Sequence, residues 1–251
     1  MTKTLIYDIE TAPIIGTVWG KYEQNLIWSI QDWYMLCFAY KWLGEKKTYV
    51  IAQNDFKGYK PPTDDDLNVV SALHHLFDEA DIIVAHNGNS FDQKKTQARF
   101  IYHKLGPPSP YQQVDTKLVA RRYFNFTSNK LDDLGEFFGV GKKLKTDADL
   151  WKNCMAGDEK AWKKMKKYNI QDVILLEKVY LAMRPWDTQH PNLANLAGRP
   201  EICPRCGKNK GFWAQGKRYT KTGSYQRYQC LACGSYVSKR SMIKGDKPEY
   251  V

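Results

Sequence analysis

Apolar and polar positions alternate from the first residues. Leu5, Tyr7 and Ile9 fall on one side of an extended segment over residues 4–10, the pattern of a β-strand. Two aromatic-rich apolar runs follow at 33–43 and 48–52, and the Gly44-Glu45-Lys46 turn between them predicts an antiparallel pair. Pro61-Pro62 breaks the chain. Thr63 then stands as the N-cap of a helix reaching Glu79, with Leu67, Val70, Leu73 and Phe77 at helical spacing. Residues 81–86 read as a short buried strand, and the loop Asn87-Gly88-Asn89-Ser90 leads into a helix ending near Leu105. Val114-Asp115 closes another short strand. Helices are expected over 117–123, 130–138 and 147–155, and a long one over 158–183 stops ahead of Pro185.

Strands first, then strand–helix alternation, then helices, predict an α/β fold: a mixed sheet covered by helices on both faces. No internal repeat is present. Residues 187–200, with Pro191 and Gly198, read as a linker between a main domain over 1–186 and a small C-terminal module over 201–251, whose last residues form a frayed tail.

Composition narrows the class. Of the 251 residues 43% are hydrophobic and 14% aromatic, enough to bury a core and to set disorder aside. No run of about 18 or more uncharged apolar residues occurs, so no membrane-spanning helix is expected. The Met1-Thr2-Lys3-Thr4 start leads straight into a strand, which leaves no space for a signal peptide. The expected location is cytoplasmic, in a host's cytoplasm if the chain is phage-encoded. The net charge of +11 is uneven: residues 187–251 hold 12 Lys/Arg against 4 Asp/Glu, a net +8, leaving +3 for the rest. A basic tail on a nearly balanced body suits attraction to a phosphate backbone, although a basic surface alone would look the same.

Three short segments carry candidate chemistry. In Tyr7-Asp8-Ile9-Glu10-Thr11, Asp8 and Glu10 sit at i and i+2 of a strand and share a face. In Asn87-Gly88-Asn89-Ser90-Phe91-Asp92, a carboxylate lies at the start of a helix. In Tyr168-Asn169-Ile170-Gln171-Asp172, Tyr168 and Asp172 are stacked one helical turn apart. Taken singly, these have ordinary explanations as a polar strand end, a helix cap and a surface pair. Four carboxylates brought together would repel one another unless divalent cations neutralise them. Two such ions can divide phosphodiester hydrolysis, one activating water and one stabilising the leaving oxyanion, and hard oxygen ligands favour magnesium or manganese.

In order and context the three segments resemble the motifs of the DEDD exonucleases on the ribonuclease H-like fold. The resemblance covers residues 1–186 and looks closest to the proofreading domains of family B DNA polymerases. Val114-Asp115-Thr116 and Asn129-Lys130-Leu131 resemble lesser landmarks of the same superfamily. Only 65 residues follow Trp186, too few for a polymerase. The sister subgroup carries histidine five residues before the last aspartate, where this chain has Lys167, so the tyrosine-bearing subgroup is implied. The resemblance implies that Asp8 bridges two magnesium or manganese ions, that Glu10 and Asp172 complete one and that Asp92 holds the other. It further implies that Tyr168 orients the attacking water and that Thr11, Asn87 and Phe91 contact the terminal nucleotide.

Cys37 and Cys154 stand alone among apolar neighbours and read as core thiols. Cys203-Pro204-Arg205-Cys206 and Cys230-Leu231-Ala232-Cys233 are two C-x-x-C turns 23 residues apart, each followed by glycine. Such turns complete a tetrahedral thiolate shell, and metal binding would supply much of the folding free energy of so small a module. The pattern resembles a four-cysteine zinc ribbon. Its Tyr225–Cys230 approach is similar to ribbons in some transposases, and a rubredoxin-like iron site or disulfides are the chemical alternatives. Lys208, Lys210, Lys217, Arg218, Lys221 and Arg227 interleave with Phe212, Trp213, Tyr219, Tyr225 and Tyr228, a composition suited to phosphates and stacked bases. At least two of these aromatics are expected to form the module's core.

The resulting expectation is a metal-dependent 3′–5′ exonuclease acting on nucleic acid, DNA favoured over RNA, single-stranded or with a free 3′ end. The ribbon would aid substrate binding, a replication or recombination protein would be a fitting protein partner, and no membrane is involved. The alternatives are a structure-specific endonuclease on the same fold and a nucleic-acid-binding adaptor without turnover.

Overall fold

The computed structural model describes residues 2–22 and 25–244. It divides into two compact units, Lys3–Tyr180 and a second that begins at Leu181.

The larger unit is built on a five-stranded sheet in the order β5-β4-β1-β6-β7. Its strands are β1 (Thr4–Thr11), β4 (Met35–Trp42), β5 (Tyr49–Ala52), β6 (Ile82–Ala85) and β7 (Gln112–Asp115). β1 runs antiparallel to β4 and parallel to β6, and β6 runs parallel to β7. The sheet is therefore mixed. One face packs Leu5, Tyr7, Ile9 and Phe38 against Val70, Leu73 and Phe77 of α1 (Leu67–Glu79) and Phe100 of α2 (Asp92–Tyr102). The other packs Leu36, Cys37 and Ala52 against Leu150 and Cys154 of α5 (Ala148–Met155) and Trp162, Met165 and Tyr168 of α6 (Glu159–Met183). Helices thus cover both faces, as the alternation of elements predicts, with α3 (Thr116–Tyr123) and α4 (Leu131–Phe137) completing the unit. Cys37 and Cys154 are fully buried, as expected of core thiols.

The structure departs from the sequence reading in two places. The first helix begins at Leu67, four residues after Thr63, because Asp66 is drawn inward. Its buried carboxylate accepts the Met35 N–H at 2.7 Å and pairs with Arg99 and His103, which pins the chain ahead of the first turn. A small hairpin of β2 (Ile15–Thr17) and β3 (Trp28–Gln31) follows β1 directly; its residues are mostly exposed, so no period-2 burial marks it. The stretch 187–200 carries α7 (Leu193–Leu196) and the buried side chains of Asp187, His190 and Leu193.

The second unit holds a three-stranded antiparallel sheet, β10-β9-β8, made of β8 (Phe212–Thr220), β9 (Gly223–Cys230) and β10 (Tyr236–Met242). Among the described residues no helix is long and apolar enough to cross a membrane.

Candidate functional site

β1 outlasts its parallel neighbour. Its pairing with β6 ends at Ile6–Val84, while its pairing with β4 continues to Thr11. The freed Ile9 N–H donates instead to Asp92 Oδ1 at 3.3 Å, on the first residue of α2. This places a buried carboxylate beside the strand positions whose side chains turn away from the α1–α2 core, Asp8 and Glu10. From the α6 side Asp172 arrives wholly buried, and carboxylate oxygens of Asp8, Glu10 and Asp172 lie within 4.8 Å of one another. Asp92 is not part of that tight triplet, but its charge is the leading Coulombic influence on Asp8.

The fold braces this cluster with residues that the sequence did not single out. Asn169, fully buried, donates to Asp8 Oδ2 at 2.7 Å and to the Asp8 carbonyl at 3.2 Å. Trp151 Nε1 donates to Glu10 Oε2 at 3.1 Å. Lys143 Nζ lies 2.6 Å from Asp172 Oδ2 and 3.2 Å from the Tyr168 hydroxyl. Asn169 lies three residues before Asp172 on one helix face, a spacing that could have revealed it. Lys143 sits in the run Lys142-Lys143-Leu144-Lys145, which looks like any solvated basic loop.

The electrostatics show a surplus of negative charge in the cluster. Burial first, then Asp172, pushes Glu10 up to about 8, and burial pushes Asp92 up to about 7. Asp8 is raised well above the usual carboxylate range by burial and by Asp92, Glu10 and Asp172; burial also raises Asp172. Burial opposes the charge on Lys143, yet Asp172 holds its pKa above the ordinary lysine value. One ammonium cannot neutralise four carboxylates. The one cation against Asp172 is Lys143, 2.6 Å from Oδ2, among the described residues. A dense set of hard oxygen donors with surplus negative charge fits divalent cations of the magnesium or manganese kind.

The flanking candidates divide. Lys95 Nζ links Thr11, whose hydroxyl lies at 3.4 Å, to the half-exposed ring of Phe91, whose centroid is 5.1 Å away. Asn87 takes a left-handed backbone (φ 65°), and its amide oxygen accepts from Lys117 Nζ at 3.2 Å. The loop holding Asn87 and Asn89 is fastened by Asp115, which accepts both backbone N–H groups at 3.0 and 3.1 Å. His86 beneath it contacts Thr116 Oγ1 and the Asn129 carbonyl, and burial lowers it to about 4.

In the second unit the four cysteine sulfurs also gather within 4.8 Å of one another. The two turns are copies in detail. The Arg205 and Ala232 N–H groups each donate to the leading cysteine sulfur at 3.4 Å, and Gly207 and Gly234 each donate to its carbonyl at 2.9 Å. Both glycines have left-handed backbones (φ 70° and 76°), which a side chain would strain. The Cys203–Cys233 and Cys206–Cys230 sulfurs are 3.9 Å apart. That is far beyond a disulfide bond and close to the edge of about 3.8 Å that a tetrahedron with metal–sulfur bonds of about 2.3 Å would have. The donor set therefore fits one thiophilic cation.

A family model of the RNase H superfamily matches residues 39–184, more than half of the chain, and the chain belongs to that superfamily. The match begins within β4, so it leaves out Asp8 and Glu10. Among solved structures the chain resembles a family B DNA polymerase from the hyperthermophilic archaeon Pyrobaculum calidifontis, with a TM-score of 0.53 at 16% identity. The likeness covers 90% of this chain and 33% of the polymerase chain, so this chain spans about a third of that protein, and at such identity it speaks for the fold. No curated protein matches the chain.

Proposed function

We propose that the chain is a metal-dependent 3′–5′ exonuclease of the tyrosine-bearing DEDD subgroup, acting on nucleic acid with DNA favoured. The observation that supports this most is the convergence of Asp8, Glu10 and Asp172 within 4.8 Å, beside Asp92, on an RNase H superfamily fold. Asp8, Glu10, Asp92 and Asp172 hold two magnesium or manganese ions. When bound, these supply an activated water and charge stabilisation for the departing oxyanion.

The chain's own groups set the geometry. Asn169 and Trp151 fix the carboxylates of Asp8 and Glu10 through one hydrogen-bonding side chain each. The Tyr168 hydroxyl orients the attacking water, and Lys143 keeps Asp172 ionised while donating to that hydroxyl. Thr11, Phe91 and Asn87 hold the terminal nucleotide. Cys203, Cys206, Cys230 and Cys233 hold one zinc, and the ribbon they close adds grip on the substrate. The nuclease domain runs to about residue 186, with the ribbon over 201–251.

The test is digestion of matched 5′-labelled DNA and RNA oligonucleotides with magnesium or manganese. The expected product is a ladder shortened one nucleotide at a time from the 3′ end, faster on DNA and stopped by a 3′ block. Internal cuts in the 3′-blocked strand would replace this reading with an endonuclease. Binding without any turnover would leave only an adaptor.

A further inference from the structure

The ribbon sheet has two unlike faces. Phe212, Tyr228 and Val237, all half-buried, line an open cleft of about 970 Å³ together with Ala194, Asn195 and Pro204, so this side faces other residues of the same unit. Strand alternation then turns Trp213, Gln229 and Tyr236 to the opposite side. The register places these three in one row across the sheet, Trp213 opposite Gln229 and Gln229 opposite Tyr236. Trp213 is 62% exposed and Tyr236 52% exposed, on a strand face with no aliphatic neighbour in that row. Next to them Arg227 is already held in place. Its Nε donates to the Gln215 carbonyl at 2.8 Å, and its guanidinium lies 5.0 Å from the Tyr236 ring centroid.

We propose that this outer face is a platform for single-stranded nucleic acid, with unpaired bases stacked on Trp213 and Tyr236 and the backbone tracked by arginine and lysine. The inference rests on the reading of the chain as a nucleic-acid enzyme and names what its second unit grips. Three features select this occupant. Residues 202–244 contain ten Lys/Arg and no Asp/Glu, a charge pattern complementary to a polyanion and unsuited to a protein surface of mixed charge. The exposed rings are flat and lie across two outer strands, about 10 Å apart, which leaves room for a base over each and a third above the Gln229 amide. Stacking needs bases free of a duplex, and every base has a face to offer, so the platform tolerates any sequence.

The experiment uses the full chain with its zinc in place and Asp8→Ala to prevent turnover. Fluorescence anisotropy compares a labelled 15-nucleotide thymidine strand, an abasic strand with the same phosphates, and a 15-base-pair duplex. The thymidine strand is expected to bind roughly ten-fold or more tightly than the abasic one. Trp213→Ala and Tyr236→Ala should each weaken it about ten-fold, leaving abasic binding and the salt slope unchanged. Should an alanine variant lose zinc, Trp213→Leu and Tyr236→Leu, which keep apolar bulk without a ring, carry the decision. Equal binding of the thymidine and abasic strands would overturn the platform, as would equal binding of the duplex or a base-dependent difference that survives in the variants. Turnover of the unmodified chain with magnesium is read separately. Its absence beside base-dependent ribbon binding would remove the nuclease and leave the platform. Turnover without that dependence would do the reverse.

Discussion

The chain gathers two clusters of anionic ligands, and it assembles them in opposite ways. The carboxylates come from β1, the start of α2 and the middle of α6, and the surrounding core carries them into place at a cost. Burial raises every one of them, and Lys143, Asn169 and Trp151 are needed to steady them. The thiols come from two short turns of the same design. Burial opposes the Cys203 thiolate, but the Cys206 and Arg205 N–H groups bring it below the ordinary thiol value, whereas burial raises Cys206 and Cys230. On the proposed reading the first unit would fold and then hold its ligands, whereas the second would fold because its ligands are held.

The sharpest test of that contrast is Asp8→Ala. Cleavage should fall by roughly 10⁴-fold or more, while circular dichroism and the melting of the larger unit stay native. A near-normal rate would detach the carboxylates from the chemistry, and a collapsed fold would erase the contrast.

Replacing both Cys203 and Cys206 with serine should do the opposite. The chain is expected to lose one zinc and unfold its ribbon, since ion binding of roughly 10 kcal/mol or more is also folding free energy there. Limited proteolysis read by mass spectrometry should trim the C-terminal unit and spare the larger one. A ribbon that resists protease without its ion would show that its own packing suffices.

A smaller effect is expected from Tyr168→Phe, which removes one hydroxyl and leaves the ring against Trp151, 6.0 Å between centroids. The rate should drop roughly ten- to a thousand-fold with metal affinity unchanged. Calorimetric titration showing lost metal binding would make Tyr168 a structural prop instead.

The smallest effect is one of pH on the larger unit without magnesium or manganese. Glu10 rises from 4.5 to about 8 and Asp92 from 3.8 to about 7 on folding, so the native state binds more protons than the unfolded chain between those limits. Stability should therefore fall as pH rises from about 4 to about 8 and level off above. Glu10→Gln should flatten part of that slope. Thermal melts after dialysis, which spares the ribbon's ion, would read it; a melting temperature that climbs over this range would contradict the direction.

What the sequence revealed follows from distance along the chain. Asp8 and Glu10, Tyr168 and Asp172, and each C-x-x-C turn are local spacings, visible wherever strand or helix period is known. The mixed sheet was legible because β1 carries alternating apolar positions and β4 and β6 are bounded apolar runs of strand length. Lys143 and Trp151 were hidden because their meaning lies in contacts with Asp172 and Glu10, on elements far away in sequence. The β2–β3 hairpin was hidden for another reason: mostly exposed residues bear no burial rhythm. Thr63 misled because the better acceptor, Asp66, had been claimed by Met35, Arg99 and His103.

The alternation in β1 also bears on how the chain avoids assembling wrongly. The ladder pairs Asp8 with Ala39 and Ile9 with Phe38. A slip of one residue would rotate Asp8 and Glu10 into the layer of Phe38, Val70 and Phe77, and turn Leu5, Tyr7 and Ile9 out of it. Two carboxylates in that layer would cost more than a marginally stable domain can spare. The carboxylate pair thus penalises the wrong frame. A central strand paired one residue out of frame would lose its core side chains and bury its charges, so the native register is strongly favoured.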